Sequence, residues 1–311
     1  MRFALEVLFA DVPAEQVDEA RVFYNSRTAG RGPSTPEELK EVRAKRSFPL
    51  PADPPTIEEM VEAAGMRVPV RIFTPRNGRA RGVHLDIHGG GFYMDSAARG
   101  DVRNRELADA LHLAVVSVDY RLAPEHPWPA APDDCEAAAL WLIENTDARF
   151  GTSRLTIGGS SAGATLALAT LLRLRDRGAV DVFTGAALQF GTYDLSAQTP
   201  AGRQISDEYF IQAYVGHVED RTVPDISPIY GDLRGLPPVL LVVGSRDVLL
   251  DDNLAMASRL SVAGDEVELR IYPESPHGFT GHPTALARTA LSGIDSWLLD
   301  RITQPSRPAA C

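Results

Sequence analysis

Cysteine is scarce. Cys135 and Cys311 are the two in 311 residues, one inside a helical pattern and one at the terminus, which argues against a disulfide framework and fits a reducing cytoplasm. No run approaches the roughly 18 to 20 consecutive apolar residues that a membrane span requires, so no membrane span is expected. Clusters of Lys and Arg are also missing. With 42 acidic against 31 basic residues and a net charge of -11, nothing forms a positive stripe able to follow a phosphate backbone, and no nucleic acid is expected as a partner. Neither an internal repeat nor a low-complexity tract is found. The first ten residues are apolar, but Glu6 interrupts them and Asp11 follows, so they read as the first helix of the mature protein and not as a signal peptide.

What is present is an α/β alternation. A hydrophobic content of 44% supplies a large core for one big domain or two smaller ones. Residues 1–60 read as helical and polar, broken by prolines at 33–36 and 49–55, with no strand pattern. Beyond residue 67, β-rich runs at 68–73, 82–87, 114–118, 155–157, 185–190, 239–243 and 267–272 alternate with helical stretches. Runs as apolar as Val239-Leu240-Leu241-Val242-Val243 must be covered on both faces, so the sheet is expected to be mainly parallel, flanked by helices, with an antiparallel start made by the first two runs. The interval 193–238 breaks the alternation and carries Tyr209, Phe210 and Tyr214 at helical spacing. It is read as an insertion covering a site at the carboxyl ends of the strands.

Chemistry is concentrated in Gly159-Ser160-Ser161-Ala162-Gly163, between an apolar run and an Ala/Leu-rich helical stretch. A serine on so tight a strand-to-helix turn is held as a nucleophile, and the flanking glycines avoid collisions. Its hydroxyl needs an imidazole to take the proton and a carboxylate to hold the imidazole, in the chain order Ser, Asp, His. His277 follows the last strand run directly and is preferred over His282. Asp247 stands at the mouth of the 239–243 run, whereas Asp251 and Asp252 read as first-turn residues of the next helix. Negative charge on a tetrahedral intermediate calls for preorganised N–H donors. Gly89, Gly90 and Gly91, following the 82–87 strand, and the amide of Ala162 offer them. The proline-rich segment 119–134 reads as a rigid loop whose charges pair with one another.

Together His88-Gly89-Gly90-Gly91, the 119–134 loop, Gly159 to Gly163, Asp247 and His277-Gly278-Phe279 resemble the bacterial hormone-sensitive-lipase family of α/β-hydrolase esterases. Ser160 and Ala164 depart from it, standing where that family usually has Asp and Gly. The resemblance implies an α/β-hydrolase fold and a serine carboxylesterase acting on short to medium acyl esters without a cofactor or metal. It also implies a cap built from residues 1–60 and the 193–238 insertion over a catalytic domain spanning 61–311. On this reading Phe92, Tyr209, Phe210 and Tyr214 wall the pocket for a small-molecule ester, and a homodimer stays open. An amidase, lactonase or carbamate hydrolase could use the same triad, and the same fold can serve as a small-molecule receptor.

Overall fold

The computed structural model describes residues 5–27, 32–48 and 54–303. Eight strands form one sheet: β1 (Ile57–Ala63), β2 (Met66–Phe73), β3 (Val83–Ile87), β4 (Ala114–Val118), β5 (Leu155–Ser160), β6 (Phe183–Gln189), β7 (Val239–Gly244) and β8 (Val267–Tyr272), in the order β1-β2-β4-β3-β5-β6-β7-β8. β2 is antiparallel to both β1 and β4, and every later pairing is parallel. The expected α/β class, with a mostly parallel sheet, is therefore present. Its antiparallel start is not the one read from the sequence, because residues 68–73 pair with β1 and β4 and not with β3.

β1 itself was missed. Ile57-Glu58-Glu59-Met60-Val61-Glu62 is an edge strand with Val61 as its one buried side chain, so its composition resembles a solvated helix face. By contrast β4 and β7 are buried along their whole length, as their unbroken apolar character requires. One face of the sheet is covered by α4 (Ala130–Phe150), α5 (Ala162–Asp176) and α8 (Leu250–Ala263), the other by α3 (Asp101–Leu111) and α9 (Ala285–Thr303). α4 begins inside the segment read as a loop. Of the charges in that loop, Arg121 and Asp134 pair together, while Glu125 pairs with Arg43 and Asp133 with Arg173.

The apolar N-terminus gives a short 3-10 turn at Leu5–Leu8, after which Phe9 and Ala10 join the edge of β8. Two further helices precede the sheet, α1 (Ala14–Asn25) and α2 (Pro36–Lys45). Thr35 caps α2 by accepting from the Glu38 N–H at 3.2 Å. The insertion contributes α6 (Pro200–Ile205) and α7 (Tyr209–Val215). Among the described residues no helix is long and apolar enough to cross a membrane. The connection after β3 runs to β4 on one side and the return from β4 lands on β5 on the other. The order thus reverses about β3, the kind of switch point at which open α/β sheets bind ligands.

Candidate active site

Four loops leave the carboxyl ends of β3, β5, β7 and β8 and meet beside that switch point. At the end of β5 the chain turns into α5 through Ser161, which has φ 54° and ψ −122° and is the N-cap of the helix. So sharp a turn brings backbones into contact. A Cβ on Gly163 would lie 2.0 Å from the Ile87 carbonyl oxygen, and one on Gly159 would lie 2.5 Å from the same oxygen. Glycine is the residue that fits at both places. The Ser161 N–H donates to the Gln189 carbonyl at 2.8 Å, which fixes the serine in its strained conformation.

The Ser161 hydroxyl lies 2.9 Å from Nε2 of His277. On the other side of the ring, Nδ1 is 3.0 and 3.1 Å from the two carboxylate oxygens of Asp247. The Asp247 side chain is wholly buried, and Oδ1 also accepts from the Leu249 N–H at 2.9 Å. A carboxylate can only accept when ionised. Nδ1 must therefore carry the proton and Nε2 is left to accept the serine proton. The β7 and β8 loops are stitched together by Ser245 N–H to the Tyr272 carbonyl at 2.8 Å and Arg246 N–H to the Ser275 carbonyl at 3.0 Å. The edge of Phe190 packs against the imidazole with centroids 5.1 Å apart.

The competing candidates sit elsewhere. His282 packs on Phe23 and Tyr24, with Nδ1 3.2 Å from the Tyr24 hydroxyl. Asp251 and Asp252 are in the first turn of α8, the former exposed and the latter buried.

After β3 the backbone takes three left-handed steps in succession, Gly90 at φ 111°, Gly91 at 61° and Phe92 at 62°. Gly89 is buried against Ser160, whose carbonyl oxygen would be 2.7 Å from a Cβ there. Four carbonyls of this loop accept hydrogen bonds. Tyr120 donates its hydroxyl to the His88 carbonyl at 2.9 Å, and His88 Nδ1 donates to the Gly89 carbonyl at 2.7 Å. The Gly90 carbonyl accepts from Met94 N–H at 2.8 Å, and the Phe92 carbonyl from Ala123 N–H at 3.0 Å. Burial pushes the His88 imidazole below its ordinary range and keeps it neutral, stacked 4.1 Å from the Tyr120 ring. Among the described residues the N–H groups of Gly90, Gly91 and Ala162 meet no protein acceptor.

Of the expected pocket residues, Phe92 and Tyr214 are stacked ring on ring at 4.0 Å, and each is 1% exposed. In this arrangement each of the two rings covers one face of the other. Phe210 and Tyr209 are partly buried around Tyr93, and a Cβ on Gly91 would lie 3.3 Å from the Phe210 Cβ.

Sequence reasoning missed how the N-terminal helices grip the site. From α1, Arg21 meets Glu274 of the β8 loop, and Asn25 accepts from Arg246 of the β7 loop at 2.9 Å. From α2, Arg43 bonds the Tyr93 and Ala123 carbonyls. Just beyond α2, Arg46 pairs with buried Asp95. Arginines on a polar helix look like a solvated face, and only the fold reveals what they reach.

A family profile described as alpha/beta hydrolase fold matches residues 84–281, and the chain belongs to that family. Its likeness to the bacterial hormone-sensitive-lipase branch is borne out among solved structures. A crystal structure of an esterase from that family superposes with a TM-score of 0.75 at 27% identity, covering 94% of this chain and all of the other. Among characterised relatives, carboxylesterase NlhH of Mycobacterium tuberculosis is 34% identical over 226 residues, which are 68% of this chain and 71% of the relative. The carboxylic ester hydrolase LipN of the same organism is 32% identical over 228 residues, 68% of this chain but 61% of LipN.

Proposed function

We propose that the chain is a serine carboxylesterase acting on short to medium acyl esters, with Ser161 as nucleophile, His277 as general base and acid, and Asp247 orienting the ring. The observation that carries this reading is the continuous hydrogen-bonded series Ser161–His277–Asp247. The names of the relatives point to the same class of reaction. In the first half-reaction Ser161 Oγ bonds to the ester carbonyl carbon while its proton passes to His277 Nε2. The carbonyl electron pair moves onto oxygen, where the N–H groups of Gly90, Gly91 and Ala162 receive it. Collapse of this intermediate breaks the bond to the alcohol, which leaves with the proton from Nε2. Water then gives a proton to Nε2 as it attacks the acyl group, and the proton returns to Ser161 when the acid departs. Buried Asp247 stabilises the imidazolium formed at each stage.

The helices α1 and α2 that precede the sheet, with the 193–238 insertion, act as the cap over this centre. Support comes from the clasps of α1 and α2 on the catalytic loops and from Phe210 lying against Gly91. A cytoplasmic location is proposed from the two-cysteine composition and the buried free thiol of Cys135.

The test pairs an organophosphonate label with a panel of chromogenic esters of graded chain length and their matched amides. One adduct on Ser161, ester turnover above amide turnover, and loss of both label and turnover in a folded Ser161→Ala variant are expected. An adduct on Ser160, or faster amide turnover, would overturn the assignment.

A further inference from the structure

The cap helix α2 reaches the oxyanion donors through the backbone, and the path is made of three hydrogen-bonded links. Arg43 donates from Nε at 2.9 Å and from Nη2 at 2.6 Å to the carbonyl oxygen of Tyr93. The peptide unit that holds this carbonyl also holds the Met94 N–H, and that N–H donates to the Gly90 carbonyl at 2.8 Å. The peptide unit of the Gly90 carbonyl in turn carries the Gly91 N–H. In a trans peptide the C=O and N–H point in opposite directions, so fixing the acceptor end fixes where the donor end aims. Arg43 at one end thus determines the direction of the Gly91 N–H at the other.

Two further features make this series more than a packing contact. Its loop occupies three successive left-handed conformations, one of them on non-glycine Phe92, and such a segment keeps its shape only when its surroundings over-determine it. The series is also headed by a permanent cation whose guanidinium is largely withdrawn from solvent, its side chain being 26% exposed. A charged donor at the head of a hydrogen-bond chain polarises each later member in the same sense, which makes the last N–H a better donor to an oxyanion. The same guanidinium holds the Ala123 carbonyl through Nη2 at 2.6 Å, and Ala123 N–H returns to the Phe92 carbonyl, closing a second grip on the loop. Its remaining nitrogen, Nη1, pairs with Glu125 at 2.8 Å and takes no part in either grip.

We infer that Arg43 is a positioning residue for the oxyanion hole, acting from the cap through the Tyr93–Met94 and Gly90–Gly91 peptide units. The inference rests on the reading of Gly91 N–H as an oxyanion donor given above. It makes the cap a contributor to the chemical step as well as a cover.

The experiment compares Arg43→Met, Arg43→Lys and Glu125→Gln on p-nitrophenyl acetate, whose acyl group is too short to use a cap wall. Each is also titrated with an alkyl trifluoromethyl ketone that forms a tetrahedral hemiketal on Ser161. Arg43→Met should lower kcat about tenfold, less than the roughly 10²- to 10³-fold cost of removing an oxyanion donor outright, with KM changed less than about twofold. Affinity for the ketone should fall by the same factor as kcat. Arg43→Lys keeps the charge but not the fork and should lie between parent and Arg43→Met on both measures, which also provides the reading if Arg43→Met folds poorly. Glu125→Gln keeps both carbonyl grips and should match the parent. Loss expressed in KM, ketone affinity unchanged while kcat falls, or a Glu125→Gln loss equal to that of Arg43→Met would each overturn the inference. If the parent itself neither turns over acetate nor binds the ketone, it is the esterase reading that fails.

Discussion

Asp252 is buried at 1% exposure in the first turn of α8, and among the described residues neither of its carboxylate oxygens makes a hydrogen bond of good geometry, Thr199 and the Asp194 backbone giving only weak relief. Burial, aided by the charge of Asp194, pushes its carboxyl up from the ordinary 3.8 to about 6. Asp194 shows what partners change. It is buried too, yet it accepts from Ser196 N–H and Oγ, Gln198 N–H and Thr199 N–H, and these bonds outweigh its burial and hold it below the usual carboxylate range. Asp252→Asn removes the uncompensated charge while keeping shape. Between pH 3.8 and about 6 the native state binds more protons at Asp252 than the unfolded chain does, so its contribution to stability is lost as pH rises through that window. At 1.36 kcal/mol per pH unit, the interval corresponds to about 3 kcal/mol of destabilisation at neutral pH that the asparagine variant escapes.

The measurement is urea unfolding of both proteins at steps between about pH 4.5 and about pH 8. The stability difference, variant minus parent, should climb by about 2 kcal/mol across this range, since about 1 of the 3 kcal/mol falls below pH 4.5, and level off above about pH 7. A constant offset from burying an amide does not affect this slope. His84 titrates in the opposite sense, since burial lowers it to about 4 and its contribution is lost as pH falls from about 6.5 toward 4, but it is common to both proteins and cancels. A difference that stays flat across the range refutes the argument. A fall in turnover of several orders of magnitude would instead mean that Asp252 and not Asp247 is the triad acid.

Asp247→Asn should fold and yet lose roughly 10⁴-fold in kcat, because an amide donating to Nδ1 leaves the Nε2 proton facing Ser161; turnover within about tenfold of the parent would remove Asp247 from the triad. Gly163→Ala places a methyl 2.0 Å from the Ile87 and 2.6 Å from the His88 carbonyl oxygens, so β3 and α5 must separate. The expected loss is about 3 kcal/mol or more, and a melting temperature unchanged from the parent would show that the turn is looser than described. Phe210→Ala opens space beside Gly91 and should move the preferred acyl chain length upward in the ester panel; an unchanged profile would mean that this ring does not bound the pocket.

Legibility in the sequence followed burial. β4 and β7 are buried at every position, so their apolar runs announced them, and the parallel core followed from those runs. β1 sits at the edge with three glutamates facing outward or toward arginines, and local composition carries no mark of its pairing. The triad residues could be placed because each follows a strand directly and their chain order is constrained. Distances across 116 residues, as between His277 and Ser161, were supplied by the sheet order. Phe92 and Tyr214 were legible as aromatic neighbours of the site but not as partners of each other, since stacking depends on where α7 lands. The grip of Arg43 on two carbonyls had no sequence signal, because carbonyls are common to every residue.

Local conformational preference is overridden where the loops converge. Five of the non-glycine residues with positive φ, Phe92, Asp95, Ser161, Phe190 and Glu274, lie in or next to the catalytic loops. Each such residue costs of order 1 to 3 kcal/mol and has to be held by something outside itself. Ser161 is held by the Gln189 carbonyl, Phe92 by Ala123, Asp95 by Arg46 and Arg99, and Glu274 by Arg21 and the Ser245 hydroxyl. Two of these restraints, Arg21 and Arg46, come from the segment that precedes the sheet. The N-terminal helices therefore supply part of the rigidity that the α/β core cannot give to its own loops, and a site assembled this way should lose order in those loops before the sheet loses stability. Hydrogen exchange at rising urea concentrations would register that sequence as early loss of protection at the hydrogen-bonded amides of Tyr93, Met94 and Glu274, ahead of β5 and β7. Simultaneous loss across loops and sheet would show that the clasps contribute no local restraint of their own.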